Sequence, residues 1–201
     1  MARYTGPKHR LCRREGAPIC GSPKCPVLRN PNPPGQPAKK RRKKASEYGL
    51  QFREKQKAKR TYGVLERQFR RYVREAQKAK GQTGEKLLQL LETRLDNVVY
   101  RLGFAPSRPA TRQLVTHGHV LVDGKKVNIP SYGIKPNQTI TITSESLNTP
   151  TVKKTIETTK SEPLPLWLAR KAAVGKVLSL PKREDIATDI NEQLIVEFYS
   201  R

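Results

Sequence analysis

Residues 91–127 read LETRLDNVVYRLGFAPSRPATRQLVTHGHVLVDGKKV, and the fold turns on this stretch. Leu91, Leu95, Val98, Val99 and Leu102 recur at helical spacing, so one face of the first segment is apolar. Arg94, Asn97 and Arg101 fall three and four apart on another face. Ser107 suits the cap of a second short helix, with Pro109 in the first turn, where amides have no intrahelical acceptor. Ala110, Leu114 and Val115 give that helix a packing side, and Arg108 and Arg112 stand one turn apart. Gly118 suits the left-handed residue that ends a helix. Val120 and its neighbours, Asp123-Gly124, and Lys125-Lys126-Val127 then read as strand, turn and strand, because Asp-Gly fits a type I′ hairpin. The expected product is a compact helix–helix–hairpin unit whose cationic groups project from a small core, a scaffold for gripping phosphates.

The charge of the whole chain points the same way. Its 201 residues, enough for one or two domains, hold 41 Lys and Arg against 17 Asp and Glu, a net +24. Such a charge repels itself in a free globular protein and attracts polyanions. It is also uneven: residues 1–80 carry 24 basic and 5 acidic side chains, and residues 81–201 carry 17 and 12. An extended nucleic-acid contact concentrated toward the N-terminus follows. No apolar run approaches a membrane span, and the N-terminus has no signal-peptide core. The early basic segments also lack the apolar face of a membrane-surface helix. Residence in the cytoplasm is the expectation.

Three cysteines, all before residue 26, do not make a disulfide framework. They do make two short-spaced pairs with a histidine: His9 with Cys12, and Cys20 with Cys25. A metal ion needs about four soft or borderline donors at one point, and two pairs on turns provide them. Gly16, Pro18, Gly21 and Pro23 supply the turns, in a segment with few apolar residues to form a core. A closed Cys₃His set suits a structural ion, with zinc the first choice and an iron–sulfur cluster the second.

A proline-rich stretch, Asn30 to Ala38, leads into Lys39-Lys40-Arg41-Arg42-Lys43-Lys44, which gives salt-sensitive, sequence-independent affinity for phosphates. Helices are expected over Ser46–Arg60 and Val64–Lys80. In the second, Leu65, Phe69, Tyr72, Val73 and Ala76 form the packing stripe, and Arg67, Arg70, Arg71 and Arg74 crowd the other side. With Arg3, Arg13, Arg14, Lys55, Lys57 and Arg60, the arginines at 67, 70 and 71 complete the N-terminal cations expected to meet nucleic acid. A third helix starts near Thr83 and runs into the central unit, which places a boundary near Leu90. Beyond the hairpin, Gln138–Thr143 alternates as a half-buried strand, and Thr149–Pro165 looks irregular or partly helical. Trp167, Leu168, Val177, Leu178 and Leu180 are expected in a core. The tail, Asn191–Arg201, alternates around Leu194, Val196 and Phe198 and is apolar enough to return onto the basic helices.

LETRLDNVVYRLGF followed by SR, RQLV, HGH and VDGKKV closely resembles the S-four RNA-binding module. The flanking MARYTGP, NPPGQ, REKQKAKRTYGV, ERQFR, VNIPSY and NEQLIVEFYSR resemble the bacterial small-ribosomal-subunit protein four family across nearly the whole chain, in its metal-binding branch. The resemblance implies a primary binder of small-subunit ribosomal RNA, in its 5′ domain, that nucleates assembly of the subunit body. It also implies contact with small-subunit protein five that influences decoding accuracy, and a position near the channel by which messenger RNA enters. Neither an enzyme, a membrane protein nor a homo-oligomer is implied. The RNA-facing positions it carries over are Arg94, Arg101, Arg108, Arg112, Gln113, His117, His119, Lys125 and Lys126. In that branch the metal site is usually four cysteines, and here His9 stands where the first is expected. Pro109-Ala110-Thr111 stands where a basic residue is common, which removes one cation.

The expected class is α+β: a basic metal knot and helical domain, plus a small RNA-binding domain with a short, mainly antiparallel sheet. The expected division is residues 1–45 as the metal-bearing extension, 46–90 as the helical domain completed by 176–201, 91–155 as the RNA-binding domain, and 156–175 as a connection. Two rival functions fit poorly. An RNA-modifying enzyme needs a further domain with a nucleophile, a base or a cofactor loop, and Asp185 and Asp189 have no such setting. A DNA-binding regulator needs a groove-reading finger spacing or dimer heptads, and the sequence has neither.

Overall fold

The computed structural model describes residues 4–22, 24–30, 32–35, 46–159 and 163–200. Arg3 and the run Lys39–Lys44 lie outside them. The chain divides into two compact units, residues 1–87 with 189–201, and residues 88–188.

The first unit opens with α1 (Lys8–Glu15), which Gly16 ends in the left-handed conformation at φ 69°. A turn of 3₁₀ helix follows at Pro26–Leu28. α2 (Glu47–Thr61) starts where the Ser46 hydroxyl accepts the Gly49 amide at 3.2 Å, a side-chain cap on one of the first-turn donors. α3 (Glu66–Lys78) buries Phe69, Val73 and Ala76. These positions are three and four apart, so the arginines between them are driven to the solvent side.

The C-terminal tail is helical, α9 (Glu192–Ser200), and packs on α2. Leu194 and Phe198 of the expected alternation also belong to a helical stripe through Leu194, Ile195, Phe198 and Tyr199, and packing selects the helical reading. Phe198 lies against Tyr48 and Phe52, with ring centroids 5.6 and 6.0 Å away. The Tyr199 hydroxyl donates to Glu66 at 2.7 Å. Burial works against the charge of Glu66, but hydrogen bonds from Tyr199, Lys59 and Lys55 outweigh it and hold the carboxyl down to about 2.

The second unit begins within α4 (Thr83–Glu92), which ends before α5 (Leu95–Arg101) instead of running on through Leu102. Arg94 is extended and bridges Gly133. The first amides of α5 are satisfied by backbone, Leu95 donating to Tyr132 O at 2.8 Å and Asp96 to Pro130 O at 3.2 Å. α6 (Arg108–Thr116) begins after Ser107, whose side chain makes no capping hydrogen bond. The hairpin β1 (Val120–Val122) and β2 (Lys125–Lys126) turns through Asp123 and Gly124 at φ 50° and 77°, both positive as a type I′ turn requires.

The sheet is larger than the sequence suggests. β3 (Thr139–Ile142), β4 (Leu168–Lys171) and β5 (Val174–Val177) join it in the order β2-β1-β3-β5-β4, all pairs antiparallel. Two helices, α7 (Ser144–Leu147) and α8 (Pro150–Thr159), lie between β3 and β4 in the chain. Residues 156–175, expected as a connection, instead hold the end of α8, all of β4 and the start of β5. Residues 176–188 belong to this unit and not to the helical one, because β5 pairs with β3. The sheet lies close on α5 at Gly175, where a Cβ would collide with the buried Leu102 side chain. The core gathers Leu95, Val98, Val99 and Leu102 from α5 with Val115, Ile140, Trp167, Leu168 and Val177. Leu178 and Leu180, expected in it, are 48% and 41% exposed. Both follow the end of β5, where the chain leaves the buried face.

Candidate nucleic-acid interface and metal centre

Cys12 lies on α1, and Cys20 and Cys25 lie in the turns that follow, where the Cys25 carbonyl accepts the Leu28 amide at 3.1 Å. The donor atoms of His9, Cys12, Cys20 and Cys25 all lie within 4.8 Å of one another. His9 Nδ1 is 3.8 Å from both Cys20 Sγ and Cys25 Sγ. A tetrahedral zinc ion places such donors about 3.5–3.8 Å apart, so the set fits a single ion after a contraction of less than about 1.5 Å. Cys12 and Cys25 are each 1% exposed, and among the described residues Val27, Ile19 and Cys20 complete the small apolar cluster around them. Burial pushes the Cys12 thiol up to about 12. Burial also works to raise Cys20, but hydrogen bonds from the Ser22 amide and from the thiols of Cys25 and Cys12 outweigh it and lower its pKa. A cation bound among these sulfurs would replace the thiol protons.

The central arginines are held in two sets, each built on one buried carboxylate. Asp96 takes Arg94 as a fork, with Nε 3.0 Å from Oδ1 and Nη2 2.7 Å from Oδ2, and Arg112 Nη1 stands 3.9 Å from Oδ2. Glu92 takes Arg101 as a second fork, at 2.7 and 3.1 Å. Asn97 donates to Glu92 at 2.6 Å and accepts from Arg108 Nε at 2.8 Å. The Arg108 guanidinium lies 4.5 Å from the centre of the Tyr100 ring. Three guanidiniums thus stand against two carboxylates and Arg108 is held through Asn97, so positive charge is in excess.

The structure brings these four together but gives them unequal access. Arg94 is 1% exposed and Arg112 8%, so Arg94 is an internal strut. Arg101 and Arg108 are half-buried. Gln113 on α6 and His117 at its end are exposed, as are Lys125 and Lys126 on β2. His119 is half-buried, its ring 6.0 Å from that of His117.

The N-terminal cations divide as well. Arg67, Arg70, Arg71 and Arg74 are exposed along α3 and have no ion pair among the described residues. Arg14 is exposed, and Arg13 donates to the carbonyls of Asn32 and Pro33. Lys55, expected to face nucleic acid, is 4% exposed; its ammonium meets Glu66 at 3.2 Å and lies over the Phe52 and Phe198 rings. The docked α9 covers it. Lys57 pairs with Glu54 and Asp189, and Arg60 with Glu15.

Sequence reasoning missed the acids. Glu92, Asp96 and Glu66 are the groups that orient the cations, and a carboxylate embedded among arginines, as in LETRLDN, is the signal that marks them. Among the described residues, no helix is long and apolar enough to cross a membrane.

Residues 3–92 match the family described as Ribosomal protein S4/S9 N-terminal domain, and residues 93–140 match the S4 domain. The chain is 57% identical over 209 aligned positions to small ribosomal subunit protein uS4 of Dictyoglomus turgidum, with all of both chains covered. It is 50% identical to the protein of that name from Thermus thermophilus and 53% to that from Thermoanaerobacter pseudethanolicus, again over the full length of each.

Proposed function

This chain belongs to the small ribosomal subunit protein uS4 family, and on that premise we propose that it is a structural component of the small subunit that binds ribosomal RNA of the 5′ domain and nucleates assembly of the body. The family is one of ribosomal proteins and not of enzymes, and its place is the cytoplasmic ribosome. The observation that carries the reading is the ordered arginine array, which presents Arg101 and Arg108 on rigid helices.

The working surface consists of Arg101, Arg108, Gln113, His117, His119, Lys125 and Lys126 in the second unit, with Arg94 and Arg112, both expected to face RNA, buried behind it. In the first, Arg14, Arg67, Arg70 and Arg71 join Arg3 and the run Lys39–Lys44. Guanidiniums held in place recognise phosphate as a fork, and converging RNA helices repel one another less when their phosphates are neutralised. The same placement brings the protein against small-subunit protein five and near the channel by which messenger RNA enters, with an influence on decoding accuracy. His9, Cys12, Cys20 and Cys25 hold zinc, which locks the N-terminal segment. A colourless protein with one equivalent of zinc is the expected finding, whereas a visible absorption band would mark an iron–sulfur cluster instead.

The test is a titration of the purified protein against a transcript of the 5′ domain and against duplex DNA of equal length at one salt concentration. Tighter binding to the folded RNA, by about a hundredfold or more, is expected. Equal affinity for both would leave only nonspecific charge.

A further inference from the structure

Glu92 has the wrong charge for an RNA-binding face, yet it lies at its centre. Its side chain is 1% exposed, at the end of α4. Oε1 accepts Arg101 Nη2 at 2.7 Å, and Oε2 accepts Arg101 Nε at 3.1 Å. The same Oε2 accepts Asn97 Nδ2 at 2.6 Å, and that amide also donates to the Glu92 carbonyl at 3.0 Å. Asn97 is 1% exposed and has its oxygen turned to Arg108 Nε at 2.8 Å. One carboxylate therefore orients two guanidiniums on two different helices, one directly and one through an amide whose flip state it fixes.

A solvated arginine loses rotamer freedom when it grips a phosphate. Arg101 and Arg108 have already lost much of it on folding, and their Nε groups are committed inward. We propose that Glu92 is a positioning residue of the RNA grip, acting directly on Arg101 and through Asn97 on Arg108. The inference rests on the reading that this face binds ribosomal RNA. It makes a prediction opposite in sign to charge counting. Removing a carboxylate from a cationic surface should strengthen RNA binding if charge alone matters. Removing a positioning carboxylate should weaken it.

The experiment uses the full-length protein and a 5′-domain transcript at about 0.15 M salt, with Trp167 fluorescence as the check on folding of the second unit. Glu92→Gln is expected to weaken binding about tenfold although it removes a negative charge. Arg108→Ala should then cost far less in the Glu92→Gln background than alone, whereas Lys126→Ala on the hairpin should cost the same in both. Binding by Glu92→Gln as tight as wild type, with the second unit folded, would overturn the proposal. A second comparison takes the Arg101 guanidinium out of both proteins: Arg101→Gln alone against Glu92→Gln with Arg101→Gln. The double variant is expected to bind several-fold more weakly than the single one, because Arg108 has lost its support. Equal binding would overturn the proposal, as would loss of the Trp167 transition in both proteins that carry Glu92→Gln, which would make Glu92 a core residue only. If the wild type itself showed no preference for the transcript over duplex DNA, the reading of the face would fail, whatever Glu92 does.

Discussion

Replacing Asp96 by alanine is expected to destabilise the second unit by about 3–5 kcal/mol. Arg94 is 1% exposed, and Asp96 meets it with both oxygens, at 2.7 and 3.0 Å. Both groups gave up water on folding, and removal of the carboxylate leaves a buried guanidinium without its counter-charge. Asp96 also stands in the first turn of α5, where a negative charge complements the helix dipole, and it approaches Arg112. Asp96→Asn should cost less, since one acceptor survives. Replacing Arg94 and Asp96 together by apolar residues of similar volume should recover much of the loss, because no charge is then stranded. Urea unfolding followed by fluorescence checks this: Trp167 is the only tryptophan and lies in the core of this unit, 2% exposed. A cost below about 1 kcal/mol would mean that water reaches Arg94, and the pair would be an ordinary surface bridge.

Removal of the metal is expected to unfold the N-terminal segment while leaving the Trp167 transition in place. Among its described residues the segment buries Cys12, Cys25 and Val27, backed by Ile19 and Cys20, far too little apolar surface to fix a chain of that length. Structural zinc in comparable small sites contributes about 10–16 kcal/mol apparent, so under the proposed assignment the ion outweighs the core in fixing this segment. Chelation or Cys12→Ser should remove the helical signal of α1 and expose residues 8–28 to protease. The effect has a definite pH sign. Burial raises the Cys12 thiol to about 12 when no cation neutralises it, so protons compete with the ion and affinity falls as the pH falls. Metal content measured before and after chelation, with helicity followed in parallel, checks both. A segment that keeps its helix without metal would contradict the account.

Much of this fold was legible because it is written in local spacing. The apolar positions of α5, the Asp123-Gly124 turn and the four metal donors depend on neighbours within a few residues, and each has a characteristic residue type. What was not legible depends on distant partners. Arg94 leaves the helix to bridge Gly133, whose identity carries no hint of that pairing. β4 and β5 are four residues each, and one contains a glycine, so neither shows a strong strand pattern until β3 is beside it. The cations suffered the same fate. Lys55 and Arg94 read as surface charges until Glu66 with α9, and Asp96 of α5, enclose them. A basic residue type announces a phosphate contact, but only burial says which cations are left to make one.

The most direct test is the slope of log affinity for the 5′-domain transcript against log salt concentration. Each phosphate neutralised releases counterions, so a grip by the central arginines, the α3 arginines and the basic N-terminus requires about six or more contacts at once. The account predicts a slope of about −5 or steeper, and a loss of affinity of about a thousandfold between about 50 and 200 mM salt. A slope near about −1, the mark of one or two phosphates, would contradict it.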